Sequence, residues 1–79
     1  MPVYYFDIED EHGAFQPDSV GQTLGDRKAA RREAITSLLP MAADALPNAE
    51  GYAIKVTVRD DNRRAILFAT LCLDTRWIA

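Results

Sequence analysis

Two stretches of the chain, residues 3–8 and 52–59, have side chains that alternate between two faces, and residues 65–73 form a longer apolar run. An extended chain points successive side chains to opposite faces, so this period of two, together with the apolar run, predicts three β-strands. The last two stretches are separated by the polar residues 60–63, Asp-Asp-Asn-Arg, which predict a hairpin. Residues 14–15, Ala-Phe, are expected to form a short return strand after the charged turn that ends the first strand.

The middle of the chain has the period of an amphipathic helix. Apolar residues recur every three or four positions from 30 to 46, and the broad stripe they form is suited to packing on a sheet. Asp26 is a suitable N-cap, and Gly25 is the competing choice. Pro40 removes one helical hydrogen bond, so it is expected to bend the helix or to split it in two. The stripe contains Ala30, Ala34, Leu38, Met41 and Ala45, with Ile35, Leu39, Ala42 and Leu46 on its flank.

The predicted elements follow one another in the order β-β-α-β-β. This order predicts an α+β fold, in which one long helix packs on one face of a four-stranded, mainly antiparallel sheet. A chain of 79 residues has no room for a second core, so residues 1–79 are expected to form a single domain. Because so small a domain buries only about 60% of the surface of its unfolded chain, self-association is an expected source of further stability.

The fourth predicted strand, residues 65–73, is apolar on both faces. Such a strand is normally covered on both sides, but a single helix covers only one side of a sheet. The uncovered face is expected to carry Leu67, Leu71 and Tyr5. It would form the contact of a homodimer, either face to face or by extension of the sheet edge. Trp77 could dock back on the sheet or onto a second subunit.

Four basic residues lie within six positions at the start of the predicted helix: Arg27, Lys28, Arg31 and Arg32. The helix dipole disfavours each exposed cation there by roughly 0.3–1 kcal/mol, so we expect a compensating charge nearby. The preferred source is internal, because residues 1–24 contain five acidic residues and no Lys or Arg. The alternative is a phosphate group or a nucleic-acid backbone. The excess of 12 acidic over 9 basic residues makes a domain dedicated to nucleic acid the weaker interpretation.

No residue pattern of a known catalytic or metal site stands out in the sequence. Cys72 is the only cysteine, and its apolar neighbours predict an inert core residue rather than a reactive thiol. His12 lies in an acidic turn without calcium-loop spacing, and with one cysteine and one histidine a structural zinc site is not expected. The chain also lacks a Gly-x-Ser-x-Gly elbow and a phosphate-binding loop. We therefore expect no catalytic residue, no metal and no cofactor, in a protein that is not an enzyme.

Hydropathy and cysteine content bear on the cellular compartment. No segment approaches the roughly 20 apolar residues needed to span a bilayer, and the first residues do not resemble a signal peptide. A lone cysteine is typical of a reducing compartment. These features predict a cytoplasmic protein without membrane contact.

Five short motifs extend over nearly the whole chain. They are an aromatic strand at 4–7, Gly-x-x-Leu at 21–24, Ala-Ala-Arg-x-Glu-Ala at 29–34, Met-Ala-x-Asp-x-Leu-Pro at 41–47 and Val-Arg-Asp at 58–60. Together they resemble a family of small, uncharacterised bacterial proteins known as a domain of unknown function. Gly25 stands where that family often has Pro, and Arg63 stands where it usually has Gly. A looser likeness, at the level of the fold alone, is to HicB-type antitoxins.

These observations predict a small, non-catalytic interaction or regulatory module that acts as a homodimer and binds protein. The alternative is a nucleic-acid-associated regulator of the antitoxin type that uses the basic start of the helix. The two hypotheses differ in the partner, which is another protein chain in the first case and DNA or RNA in the second.

Overall fold

Five β-strands and one α-helix make up the computed structural model, which describes residues 1–79. The bounds of the elements are Val3–Asp10 (β1), Phe15–Gln16 (β2), Gln22–Thr23 (β3), Arg27–Ala45 (α1), Leu46–Asn48 (a 3₁₀ helix), Gly51–Arg59 (β4) and Ala65–Asp74 (β5). The predicted α+β fold with one long helix on the sheet is confirmed. The chain adds one short strand, β3, to the predicted four.

The strands form one antiparallel sheet in the order β2-β1-β4-β5, and β3 pairs with the beginning of β1. In the pairing of β1 with β4, Tyr5 is opposite Arg59. In the pairing of β4 with β5, Gly51 is opposite Asp74. The strand β3 contains only two residues, too few to show the alternation from which strands are predicted. The strand β2, Phe15–Gln16, begins one residue later than expected.

The helix α1 begins after the expected cap. The Asp26 carboxylate accepts a hydrogen bond of 2.8 Å from the backbone N–H of Ala29, which satisfies one of the free amides of the first turn. Pro40 lies inside α1, and the helix continues through it to Ala45 as a single element. The proline therefore does not split the helix.

The core lies between one face of α1 and the centre of the sheet. Its buried apolar positions are Ala30, Ala34, Leu38 and Ala42 on the helix, and Tyr4, Ile54, Val56 and Val58 on the strands. Three of the four helical positions are alanines, so the helix backbone lies close to the sheet. Val56 and Val58 are the largest side chains that are fully buried. The core is therefore thin, as expected for a domain of this length.

The face of β5 that contacts the helix is the opposite of the one predicted from the sequence. Leu67 is opposite the buried Val58, and residues directly opposite in an antiparallel pair share a face. Leu67 and Leu71 therefore pack against the core on the helix side, whereas Tyr5 is opposite Arg59 on the other side. The prediction that Leu67, Leu71 and Tyr5 share an uncovered face is wrong. Both faces of β5 are apolar, so only its pairing with β4 decides which face meets the helix.

The face of the sheet that α1 leaves uncovered, which we call the open face, is largely polar. The Lys55 ammonium lies 2.7 Å from the Glu9 carboxylate and 5.7 Å from the centre of the Phe68 ring. Thr70 is opposite Lys55 on the same face. Cys72 also lies here and is exposed, so the prediction of a core cysteine is wrong. Ion pairs and a hydroxyl group make this face compatible with water, and it does not need a second layer.

Candidate interaction surface

The outer edge of β1 is covered by residues 15–24, which we call the strap. One end of the strap contains β2 and pairs with the end of β1, and the other contains β3 and pairs with its beginning. Between them, the Asp18 carboxylate accepts a hydrogen bond of 3.0 Å from the backbone N–H of Phe6. Leu24 donates its N–H to the Pro2 carbonyl at 3.1 Å. This edge of the sheet is therefore closed by the chain itself.

An ion pair on the open face holds the strap in place. The Arg59 guanidinium donates from Nε and Nη2 to the two Asp7 oxygens, at 2.6 and 2.9 Å. The same Nη2 donates to the Asp18 carbonyl at 2.9 Å, and the Asp18 N–H donates to Asp7 Oδ1 at 2.8 Å. The two charged side chains are only 18% and 11% exposed. Bidentate geometry and low exposure make this the strongest ion pair of the molecule.

Both carboxylates of this cluster are held in the charged form. Hydrogen bonding from Arg59 lowers the pKa of Asp7; burial raises it by less, and the Asp18 N–H lowers it further. Burial raises the pKa of Asp18, but the backbone N–H groups of Gly21, Phe6 and Val20 together lower it by more. Each polar group has a partner within the cluster, and no buried side-chain oxygen or nitrogen lacks one. The arrangement therefore works as a structural clasp.

Gly21 allows the strap to lie close to β1. Its φ is +77°, and a Cβ atom at this position would lie 2.6 Å from Val3 Cγ1 and 2.9 Å from Tyr5 Cε1. Both the left-handed backbone and the close approach require glycine. This is the physical reason for the first residue of the Gly-x-x-Leu motif.

Two cationic side chains contact the ring of Tyr5. The Arg59 guanidinium lies 5.1 Å from the centre of its ring and the Arg63 guanidinium 5.0 Å, both within cation–π range. Arg63 itself has a φ of +62°, a conformation that glycine adopts more readily. The ring of Tyr5 is thus part of the structure around the clasp.

The opposite edge of the sheet, the outer edge of β5, has no covering segment. Thr75 donates its N–H to the Glu50 carbonyl at 3.1 Å, so odd-numbered residues in this part of β5 bond to β4. Even-numbered residues then direct their N–H and C=O groups outward. Residues 65–73 contain no charged residue and no proline, two devices that commonly protect a free edge. The outward-directed residues are Phe68, Thr70 and Cys72.

The helix leaves an exposed apolar flank beside this edge. Arg31 lines a cavity of about 210 Å³ together with Ile66 and Leu67 of β5, so this side of α1 faces β5. Ile35 and Leu39 lie one and two turns further along the same side. They are 38% and 55% exposed. The free edge of β5 and this flank together form what we call the edge surface.

The basic residues at the start of α1 are all exposed: Arg27, Lys28, Arg31 and Arg32. None of them forms an ion pair with a carboxylate. Among the acidic residues of 1–24, Asp7 binds Arg59 and Glu9 binds Lys55 instead. The acids of residues 1–24 therefore form no ion pair with the helix start, and compensation of its charge by these acids stays a prediction.

The four residues predicted to form a contact face lie in different places. Leu67 and Leu71 are under the helix, and Tyr5 is on the open face. Trp77 follows the end of β5 and is 96% exposed, so it does not dock back on the sheet. The structure therefore does not bring these four side chains together.

Two features of this surface were not predicted from the sequence. One is the clasp of Asp7, Asp18 and Arg59, and the other is the outward direction of the backbone N–H and C=O groups of even-numbered residues in β5. Asp7 and Arg59 occupy polar positions in strands of alternating pattern. Ordinary solvent-exposed residues occupy the same positions, so the pattern does not distinguish the two. Asp18 follows a proline in a loop, which is typical of an ordinary turn. The one available signal is that Arg59 belongs to the Val-Arg-Asp motif.

The fold and this surface define a small α+β domain with one closed and one free sheet edge. The family called Domain of unknown function (DUF6894) matches residues 3–72, and the chain belongs to this family. No curated protein and no solved structure matches the chain, so the likeness to HicB-type antitoxins stays a prediction. No helix combines the length and the apolar character needed to cross a membrane.

The substitution Asp7→Asn is expected to lower the free energy of unfolding by about 2–4 kcal/mol, because the half-buried Arg59 guanidinium then lacks a counter-charge. Glu9→Gln is the matched control on the same face of the same strand. Its exposed ion pair with Lys55 is worth under about 1 kcal/mol. Urea unfolding followed by circular dichroism measures both changes, and equal losses would contradict the role given to Asp7.

The stability of the protein is expected to fall in acid. The pKa values of Asp7 and Asp18 are lower in the folded chain than in the unfolded chain, so the unfolded chain binds more protons as the pH falls. The contribution of these carboxylates is complete above about pH 5 and is lost progressively below about pH 4. Urea midpoints between pH 7 and pH 3 measure this. Asp7→Asn should flatten the dependence, and an unchanged slope would count against the clasp.

Proposed function

We propose that this protein is a non-catalytic interaction module that acts as a homodimer and binds protein through the free edge of β5. The observation that carries this proposal is the difference between the two edges of the sheet. The strap and Asp18 occupy the outer edge of β1, whereas β5 exposes a strand of ten residues. Only the edge of β5 is therefore available for pairing with another chain.

The chemistry of β5 supports strand addition. Its outward N–H and C=O groups are unpaired, and a second extended chain can satisfy them by continuing the sheet. Phe68, which is 67% exposed, offers an apolar contact beside these groups. Natural edge strands that must stay single commonly carry lysine, proline or a bulge. The register shift of the β4–β5 pairing lies at the start of β5, where Leu67 is opposite Val58 and Ala65 is opposite Arg59. Beyond it, residues 67–73 contain no charge and no proline.

The clasp supports a role without catalysis. Asp7, Asp18 and Arg59 are the titratable side chains whose pKa values are shifted most clearly. Their hydrogen bonds connect β1, β4 and the strap, which is the geometry of a structural cluster. We place the protein in the cytoplasm as part of the same proposal, because the exposed Cys72 thiol stays reduced there.

The substitution Thr70→Pro tests the edge. Its N–H points away from β4, so the proline removes an outward donor and leaves the internal pairing intact. Thr70→Val is the matched control, because it keeps the N–H and the size of the side chain. Light scattering across a dilution series is expected to give the mass of two chains for the wild type and for Thr70→Val, and that of one chain for Thr70→Pro. A wild-type monomer at every concentration would refute the dimer.

A second candidate function is a nucleic-acid-associated regulator of the antitoxin type. It is favoured by one observation, the four exposed cations of Arg27, Lys28, Arg31 and Arg32 without ion-pair partners. Cations held at a helix start against the helix dipole attract an anion. The phosphates of a DNA or RNA backbone would supply that charge.

Fluorescence anisotropy with labelled DNA and RNA tests this second function. Binding is expected to weaken steeply with salt, and Arg31→Ala or Arg32→Ala should each reduce the salt slope by about one ion. Arg76→Ala is the control, since it removes the same charge at the far end of the chain. Absence of binding at low ionic strength would exclude this function.

A further inference from the structure

We infer that a cavity between the start of α1 and the start of β5 binds a small organic anion with an apolar body. The ligand class is a compact alkyl chain or ring that carries one carboxylate or phosphate group. The cavity has a volume of about 210 Å³ and lies on the helix side of the sheet. None of the outward-directed residues Phe68, Thr70 and Cys72 lines it, so this inference goes beyond the proposed function and does not depend on the dimer.

A β-bulge builds the floor of the cavity. Leu67 is opposite Val58 and Ala65 is opposite Arg59, so Ile66 has no partner on β4. Neighbouring residues of a regular strand point to opposite faces, but Ile66 and Leu67 both pack against the core. The extra residue thus turns Ile66 beneath α1, where it lines the cavity with Leu67 and Val58. Bulges commonly re-aim a side chain in this way beside a functional site.

Three cations form the rim of the cavity. Arg27, Lys28 and Arg31 lie in the first two turns of α1, line the cavity and are exposed. None of them forms an ion pair with a carboxylate. Arg27 and Arg31 are one turn apart, so two like charges are neighbours at a helix start whose dipole also disfavours them. An anion bound at this rim relieves both penalties and accepts hydrogen bonds from the guanidinium groups.

The lining of the cavity suits a ligand that has both a charged and an apolar part. A bare inorganic anion meets the cations but leaves the apolar floor in contact with water, and a neutral apolar molecule leaves the cations without a counter-charge. The volume is smaller than the roughly 300–1,000 Å³ of pockets for drug-sized ligands, so a short chain or a single ring fits. Ala30 also lines the cavity, and because its buried side chain is only a methyl group, the space above the floor stays open.

This arrangement differs from the one that nucleic-acid binding requires. A DNA or RNA backbone meets cations along a surface and needs no apolar cavity. All four cations of the helix start then contribute alike, whereas only three of them line the cavity. Arg32 is the exception, because it borders a neighbouring depression with Ile35 and Thr36. Arg31 and Arg32 thus form a matched pair of the same charge, with one residue at the site and the other outside it.

Titration of the isotope-labelled protein with octanoate, followed by NMR, tests the site. The backbone signals that are expected to shift and to saturate are those of Ala30, Arg31 and Ile66. Acetate has the charge without the chain, and octyltrimethylammonium has the chain with the opposite charge. Each of these two controls is expected to bind at least about tenfold more weakly than octanoate. Octyl phosphate is titrated in parallel, and the tighter of the two octyl anions shows whether the site prefers a carboxylate or a phosphate.

Substitutions in the rim and the floor locate the ligand. Arg31→Ala is expected to raise the dissociation constant for octanoate about tenfold, because it removes a charge-assisted hydrogen bond. Arg32→Ala is the matched control and is expected to change the constant by less than about twofold. Ile66→Phe leaves every charge in place and fills the cavity from its floor, so it is expected to weaken octanoate binding at least about tenfold. Circular dichroism spectra equal to that of the wild type show that each variant is folded.

Each outcome either supports or overturns the site. Equal losses for Arg31→Ala and Arg32→Ala would show attraction by the general positive charge and would overturn the inference. Acetate or octyltrimethylammonium that binds as tightly as octanoate would overturn the ligand class, and unchanged binding by Ile66→Phe would overturn the cavity. Losses in Arg31→Ala and Ile66→Phe without a loss in Arg32→Ala support the site, whether the protein has the mass of one chain or of two.

Discussion

The ion pair between Asp7 and Arg59 is the interaction on which the rest of the structure depends. It joins β1 to β4 across the open face and, through the backbone of Asp18, holds the strap. Burying two charges is costly unless further hydrogen bonds satisfy them, and here the strap provides those bonds. The same contacts thus offset the cost of the buried charges and close one edge of the sheet. The strap contributes only four strand residues, so without the clasp little would keep it in place.

The order of the elements could be predicted because the relevant signals are local. The alternation of β4 and the stripe of α1 depend on spacing alone, and Asp26 as a cap depends on its immediate neighbours. The face of the sheet on which Leu67 lies could not be predicted in this way. Both parities of β5 are apolar, so the choice between them is made by its register against Val58, a contact between distant parts of the chain. The strand β3 was beyond prediction for a different reason, since two residues have no period.

The sequence shows which residues the candidate surface contains, but it does not show which of them lie next to one another. The basic cluster at the start of α1 and the uncharged segment of β5 can both be read directly from the sequence. The residues that surround each of them in space depend on the order in which the strands pair. Because β1 pairs with β4, Asp7 meets Arg59 and Glu9 meets Lys55, and neither acid forms an ion pair with the helix start. Charge balance counted along a sequence therefore says little about which charges are compensated in space.

The strap has a consequence for the size of any assembly. A sheet with two free edges can add neighbours at both, and such growth continues into a fibre. A sheet with one free edge can add a single neighbour, and if that neighbour is an identical chain, its own free edge is consumed in the contact. Growth then stops at two, since closed symmetry leaves no edge to extend. In such a dimer the ten residues of the strap would set the limit at two chains, because Gly21 and Asp18 hold the strap over the second edge.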